Sequence, residues 1–171
     1  MNIFKTLLIL FSLTISSLLF GQDLKLRAYL DSKQFYTPNS GNYIEIYFQY
    51  VGYSVNYKSI DGGLQGELAV SIAIFDGQNK VAGDIYRLQT PMMKDSIVED
   101  FYDIRRFALK PGNYTLSIEL QDLNSKKEPI KTNQPFVIED LESGITVSDI
   151  EAIEYATKGD ENSTFFKSAV T

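Results

Sequence analysis

The chain has 171 residues, 44% of them apolar and 13% aromatic, with no Cys, no His, no Trp and a formal net charge of −6. That inventory excludes Ser-His-Asp triads, Cys-His pairs, thiol nucleophiles and histidine zinc sites. The acid excess argues against nucleic acid, where Lys and Arg must meet phosphates, and against docking on anionic lipid.

In chain order, Lys5, the largely apolar run 6–20 and the small Gly21 have the form of a secretory signal peptide. Cleavage there leaves Gln22 first and makes the mature chain one unit more acidic, because Lys5 is the only charged residue removed. No Cys is available for lipid attachment, and no later segment is long and apolar enough to span a bilayer. An exported domain without disulfides must hold together by core packing, which places it in a bacterial periplasm, on an outer-membrane surface or outside the cell.

Residues 23–140 carry period-two alternation, the mark of half-buried strands. Leu24, Leu26, Ala28 and Leu30 share one face of a first strand. Ile44, Ile46, Phe48 and Tyr50 share a face of the next, opposite Glu45 and Gln49. A short strand is expected over 55–60. Leu68, Val70, Ile72 and Ile74 alternate with Ala69, Ser71 and Ala73; further strands follow at 81–88 and, more weakly, at 97–105. Tyr114, Leu116, Ile118 and Leu120 alternate with Thr115, Ser117, Glu119 and Gln121, and a last strand runs over 130–138, where Pro135 marks an edge or a bulge. Asp61-Gly62-Gly63 and Asp76-Gly77-Gln78-Asn79 are hairpin signals. About seven or eight strands without a helical period predict an all-β, immunoglobulin-like antiparallel sandwich.

Residues 141–171 differ. Leu141-Glu142-Ser143-Gly144 reads as a linker, and Ser148-Asp149-Ile150-Glu151 has the form of a capping box, although Ile145, Val147 and Ile150 also suit a strand. The stretch is expected to be a linker with the truncated start of a second module, or a mobile tail.

The sharpest local signal is Lys110-Pro111-Gly112-Asn113-Tyr114 ahead of an alternating strand. Pro111 and Gly112 set a turn, and Tyr114 is placed to fold over a Greek-key corner and bond nearby backbone, a structural role. Several segments are similar to the N-terminal sandwich of the GWxTD-domain proteins of Bacteroidetes: Phe35-Tyr36, Tyr43-Ile44-Glu45-Ile46-Tyr47, Leu64-Gln65-Gly66-Glu67-Leu68, Tyr86-Arg87-Leu88, Arg106-Phe107-Ala108-Leu109, Tyr114-Thr115-Leu116-Ser117-Ile118 and Val147-Ser148-Asp149-Ile150-Glu151. The Gly-Trp-x-Thr-Asp signature does not occur in this chain. The resemblance implies an exported multi-domain protein with no established reaction, and it supplies no catalytic residue.

Carboxylates are the only catalytic groups left in quantity, and a small sandwich offers no deep cleft to set two of them across a substrate. No catalytic residue, cofactor or metal is therefore assigned. Asp122-Leu123-Asn124 and Asp76-Gly77-Gln78-Asn79 cluster hard oxygens, but neither completes a calcium loop, and turn chemistry accounts for both. Tyr43 and Tyr47 fall on one face, opposite Ile44 and Ile46. If solvated they form an aromatic platform for a glycan or protein partner; cross-strand packing is the plainer reading. The expected function is a non-catalytic structural or protein-interaction module of the cell envelope, with a carbohydrate-binding module as the alternative.

Overall fold

The computed structural model describes residues 25–38, 41–94, 97–142 and 147–150. The segment read as a signal peptide and most of 141–171, including the Phe165-Phe166 pair, lie outside the described residues.

Among the described residues eight strands form: β1 (Ala28–Thr37), β2 (Gly41–Tyr50), β3 (Tyr57–Ile60), β4 (Gly63–Asp76), β5 (Asn79–Gln89), β6 (Phe101–Ala108), β7 (Gly112–Asp122) and β8 (Ile130–Ile138), with a 3-10 turn at Gly52–Ser54. One sheet runs β1-β2-β6; the other runs β3-β4-β7-β8, with β5 also paired to β4. Every pairing is antiparallel. The chain is an all-β sandwich of the immunoglobulin-like kind, in which β5 has joined the larger sheet.

The alternating residues explain why the sheets stack. Ile44, Ile46, Phe48 and Tyr50 of β2 face Leu68, Val70, Ile72 and Ile74 of β4 and Leu116, Ile118 and Leu120 of β7 across a continuous core. Each such side chain contributes about 1.5–3 kcal/mol by leaving water, so this layer dominates the fold energy. Tyr50 stacks on Phe101 of β6 with ring centroids 5.0 Å apart. The β4–β5 hairpin turns at Gly77, whose φ of 58° suits the first central position of a II′ turn. Boundaries move at three places. The first strand, expected around Leu24 to Leu30, runs over Ala28–Thr37. The short strand expected from residue 55 starts at Tyr57, because Gly52–Ser54 turns first. The weak strand expected over 97–105 lies at Phe101–Ala108 instead. At the corner, the Tyr114 hydroxyl donates to the Lys110 carbonyl at 2.9 Å and its ring packs on Phe136, so the residue is half-buried rather than buried.

The two long sides of the sandwich are closed differently. Between β5 and β6, the Tyr86 hydroxyl donates to Asp103 Oδ2, and Arg105 Nε donates to the same oxygen at 3.2 Å. The Arg105 guanidinium lies 3.7 Å over the Tyr86 ring and reaches Asp84 at 3.9 Å. Asp103 is only 6% exposed. The Tyr50 hydroxyl, nearby and fully buried, has no hydrogen-bond partner. Burial, then the neighbouring Tyr86 and Asp103, push the Tyr50 phenol far up; burial and the hydrogen bond to Asp103 do the same to Tyr86.

Between β1 and β8 the closure uses amides. The Gln34 side chain donates to the Glu139 carbonyl at 2.6 Å and accepts from the Glu139 N–H at 3.0 Å. Its backbone N–H donates to Asp149 Oδ2 at 2.8 Å, and its carbonyl accepts from Asp149 N–H at 3.0 Å. Further along this side an apolar crevice of about 430 Å³ opens among Leu26, Ala28, Leu30, Phe48, Ile118, Leu120 and Ile130.

Candidate functional site

The register of the three-stranded sheet fixes its outer face. Four cross-strand rows follow in order: Tyr29–Gln49–Tyr102, Asp31–Tyr47–Ile104, Lys33–Glu45–Arg106 and Phe35–Tyr43–Ala108. Glu45 points outward by alternation, yet it is 1% exposed. Arg106 Nε donates to its Oε1 at 2.7 Å, and the Tyr47 hydroxyl donates to its Oε2. A carboxylate excluded from water in this way needs such partners, and truncating any one of them leaves a costly group behind. Lys33 pairs with Asp31 of its own strand at 3.1 Å.

Both tyrosines singled out from the sequence lie on this face. Tyr43 is half-buried and stacked on Phe35 with centroids 5.6 Å apart, while the Tyr47 hydroxyl is held by Glu45. They belong to the packed floor of the face. The exposed rings are others: Tyr29 at 56%, Tyr102 at 57% and, beside them, Tyr53 at 55%. Tyr29 and Tyr102 flank Gln49 from the two neighbouring strands, a separation of about two strand spacings, or roughly 9.6 Å. Arg27 bridges two of the rings, donating from Nη1 to the Tyr53 hydroxyl at 2.9 Å and from Nη2 to the Tyr29 hydroxyl at 3.2 Å. The Gln49 amide donates to Asp100 Oδ2 at 3.0 Å, and the other oxygen of Asp100 accepts from Gly52 N–H. Tyr29, Asp31, Lys33, Tyr47, Gln49 and Tyr102 thus line a shallow depression of about 730 Å³.

Sequence reasoning missed Tyr29 and Tyr102 for traceable reasons. Tyr29 is the outward complement of the apolar set Leu26, Ala28 and Leu30, so the same alternation held it. Tyr102 was hidden because inward-facing Asp103 and Arg105 interrupt the apolar period of β6.

The oxygen cluster at Asp122 has a structural occupation. Its Oδ2 accepts the backbone and side-chain N–H groups of Asn56 at 2.7 and 2.9 Å, and its Oδ1 accepts Asn124 N–H at 2.9 Å. These bonds tie the approach to β3 to the end of β7, with N–H groups on both oxygens. Among the described residues no three His, Cys, Asp or Glu side chains gather into a metal-holding group. No described helix is long and apolar enough to cross a membrane. Pro111 and Gly112 stand at the opposite end of β7 from Asp122, in the corner that Tyr114 closes.

No protein-family profile and no curated protein matches this sequence. The resemblance to the GWxTD-domain proteins therefore rests on the short segments quoted above.

Proposed function

We propose that this chain is a non-catalytic binding module of an exported envelope protein, working through the outer face of its three-stranded sheet. The observation that carries this reading is the pair Tyr29 and Tyr102, more than half exposed on either side of Gln49. Aromatic rings held on a rigid sheet and rimmed by Arg27, Asp31 and Lys33 are the composition of a recognition surface. The buried Glu45 carboxylate, held by Arg106, supports it, because a fixed floor limits the ordering cost on binding. Export is supported by the Lys5, apolar run and Gly21 pattern.

A photo-crosslinking residue at position 102 in the producing cell tests the reading. A discrete protein adduct that disappears with Tyr29→Ala supports it, and the absence of any Tyr29-dependent adduct counts against it. A carbohydrate is the second reading, favoured by two rings set across a side-chain amide, which suits a sugar's apolar face and hydroxyls. Titration with solubilised envelope polysaccharide, repeated on Tyr102→Ala, separates the two.

A further inference from the structure

We propose that β1 is a self-pairing edge, built to bind β1 of a second copy of this chain antiparallel about Ser32, and that Asp149 keeps it closed. This inference does not depend on the outer-face reading. Among the described residues β1 is laddered to β2 alone, so the backbone groups that alternate away from β2 face its other edge. Asp149 takes both the N–H and the C=O of Gln34 on that edge. By the period of two, Leu30 and Ser32 present theirs to the same side. Consistent with this, the Ser32 N–H is not in the ladder but capped by Asp31 Oδ1 at 2.8 Å.

The sequence of the strand is self-complementary about that serine. Antiparallel pairing of Ser32 with Ser32 of the second copy sets Asp31 opposite Lys33, Lys33 opposite Asp31, and Tyr29 opposite Phe35. Opposite charges and aromatic pairs directly across a ladder are the pairs that stabilise a sheet. The twofold arrangement closes on itself, so it yields a dimer and not a fibre. The same register pairs Leu30 with Gln34, which is the residue that Asp149 now occupies. Closure by Asp149 and dimer formation are therefore mutually exclusive.

The test is sedimentation of the full chain across a concentration series. Asp149→Pro removes both the N–H and the carboxylate from Gln34, and should tighten self-association about tenfold or more over the unaltered chain. Asp149→Ala, which keeps the N–H, should fall between the two. In the Asp149→Pro background, Asp31→Lys sets Lys against Lys33 of the partner and should abolish the gain. Adding Lys33→Asp to that variant restores opposite charges and should return it. Asp149→Pro protein that stays monomeric at its highest soluble concentration would overturn the proposal, leaving the edge to a foreign strand. A dimer that tolerates Asp31→Lys alone would overturn it equally.

Discussion

The two long sides of this sandwich solve one problem with opposite chemistry. Between β5 and β6 the gap is sealed by side chains: a buried carboxylate, a phenol and a guanidinium stacked on that phenol. Between β1 and β8 it is bridged by amides around Gln34, beside an apolar crevice left open. A buried ionic cluster is hard to exchange, since removing one member strands the others in low dielectric. Amide contacts near water exchange for others at little net cost. The first side is therefore the fixed one and the second the adaptable one.

The largest expected effect breaks the fixed side. Asp103→Ala removes the common acceptor of Tyr86 and Arg105 and should cost about 3 kcal/mol in urea unfolding. A loss below 1 kcal/mol would mean that the cluster decorates the seam without sealing it. Next comes alkaline pH. Tyr50 and Tyr86 are raised above the ordinary 10.0, chiefly by burial. Above that value the unfolded chain sheds protons that the folded chain keeps, so their contribution is complete below pH 10 and falls as pH rises further. The urea midpoint should drop between pH 9 and 11, and Tyr50→Phe should lessen the drop while raising stability at neutral pH by about 1 kcal/mol, because it deletes an unpartnered buried hydroxyl. A midpoint independent of pH over that range would show that the phenols are not desolvated.

On the adaptable side, Gln34→Ala should cost only about 1 kcal/mol, since the freed Glu139 groups reach water. A cost matching that of Asp103→Ala would erase the contrast. The smallest effect sharpens it. Ala28→Leu points into the crevice and should stabilise by about 0.5 kcal/mol, as filling a void does. A loss instead would show that the crevice is already closed in solution.

How much of this could be read beforehand follows from the same contrast. The runs 44–50, 68–74 and 114–120 alternate without exception, and they became the core faces of β2, β4 and β7. The seam residues broke the pattern. Asp103 and Arg105 occupy inward positions of β6, so a period count slid that strand toward residue 97. Glu45 reads as solvent-facing on any alternation rule. It is nevertheless buried, and its Oε1 takes Arg106 from 61 residues later, a pair that no local window holds. Tyr43 and Tyr47 share the outer face that alternation gives them, but long-range neighbours set their exposure: Tyr43 stacks on Phe35 and Tyr47 bonds Glu45, while Tyr29 and Tyr102 are the more exposed rings. Asp149 contacts Gln34 from 115 positions away, which a strand period does not encode.

The position of the crevice has a mechanical consequence. Leu26, just ahead of β1, meets Leu120 and Ile130 at one end of the sandwich, while Glu139, just after β8, meets Gln34 at the other. Residues 25 and 139 thus stand at opposite poles of the sandwich. Tension applied through residues 25 and 139 runs along the strands and loads the β1–β2 and β7–β8 ladders in shear. Because ladder hydrogen bonds stand perpendicular to the strands, such a pull strains all of them together instead of unzipping them singly. A domain strung this way resists extension until a whole edge strand slides free.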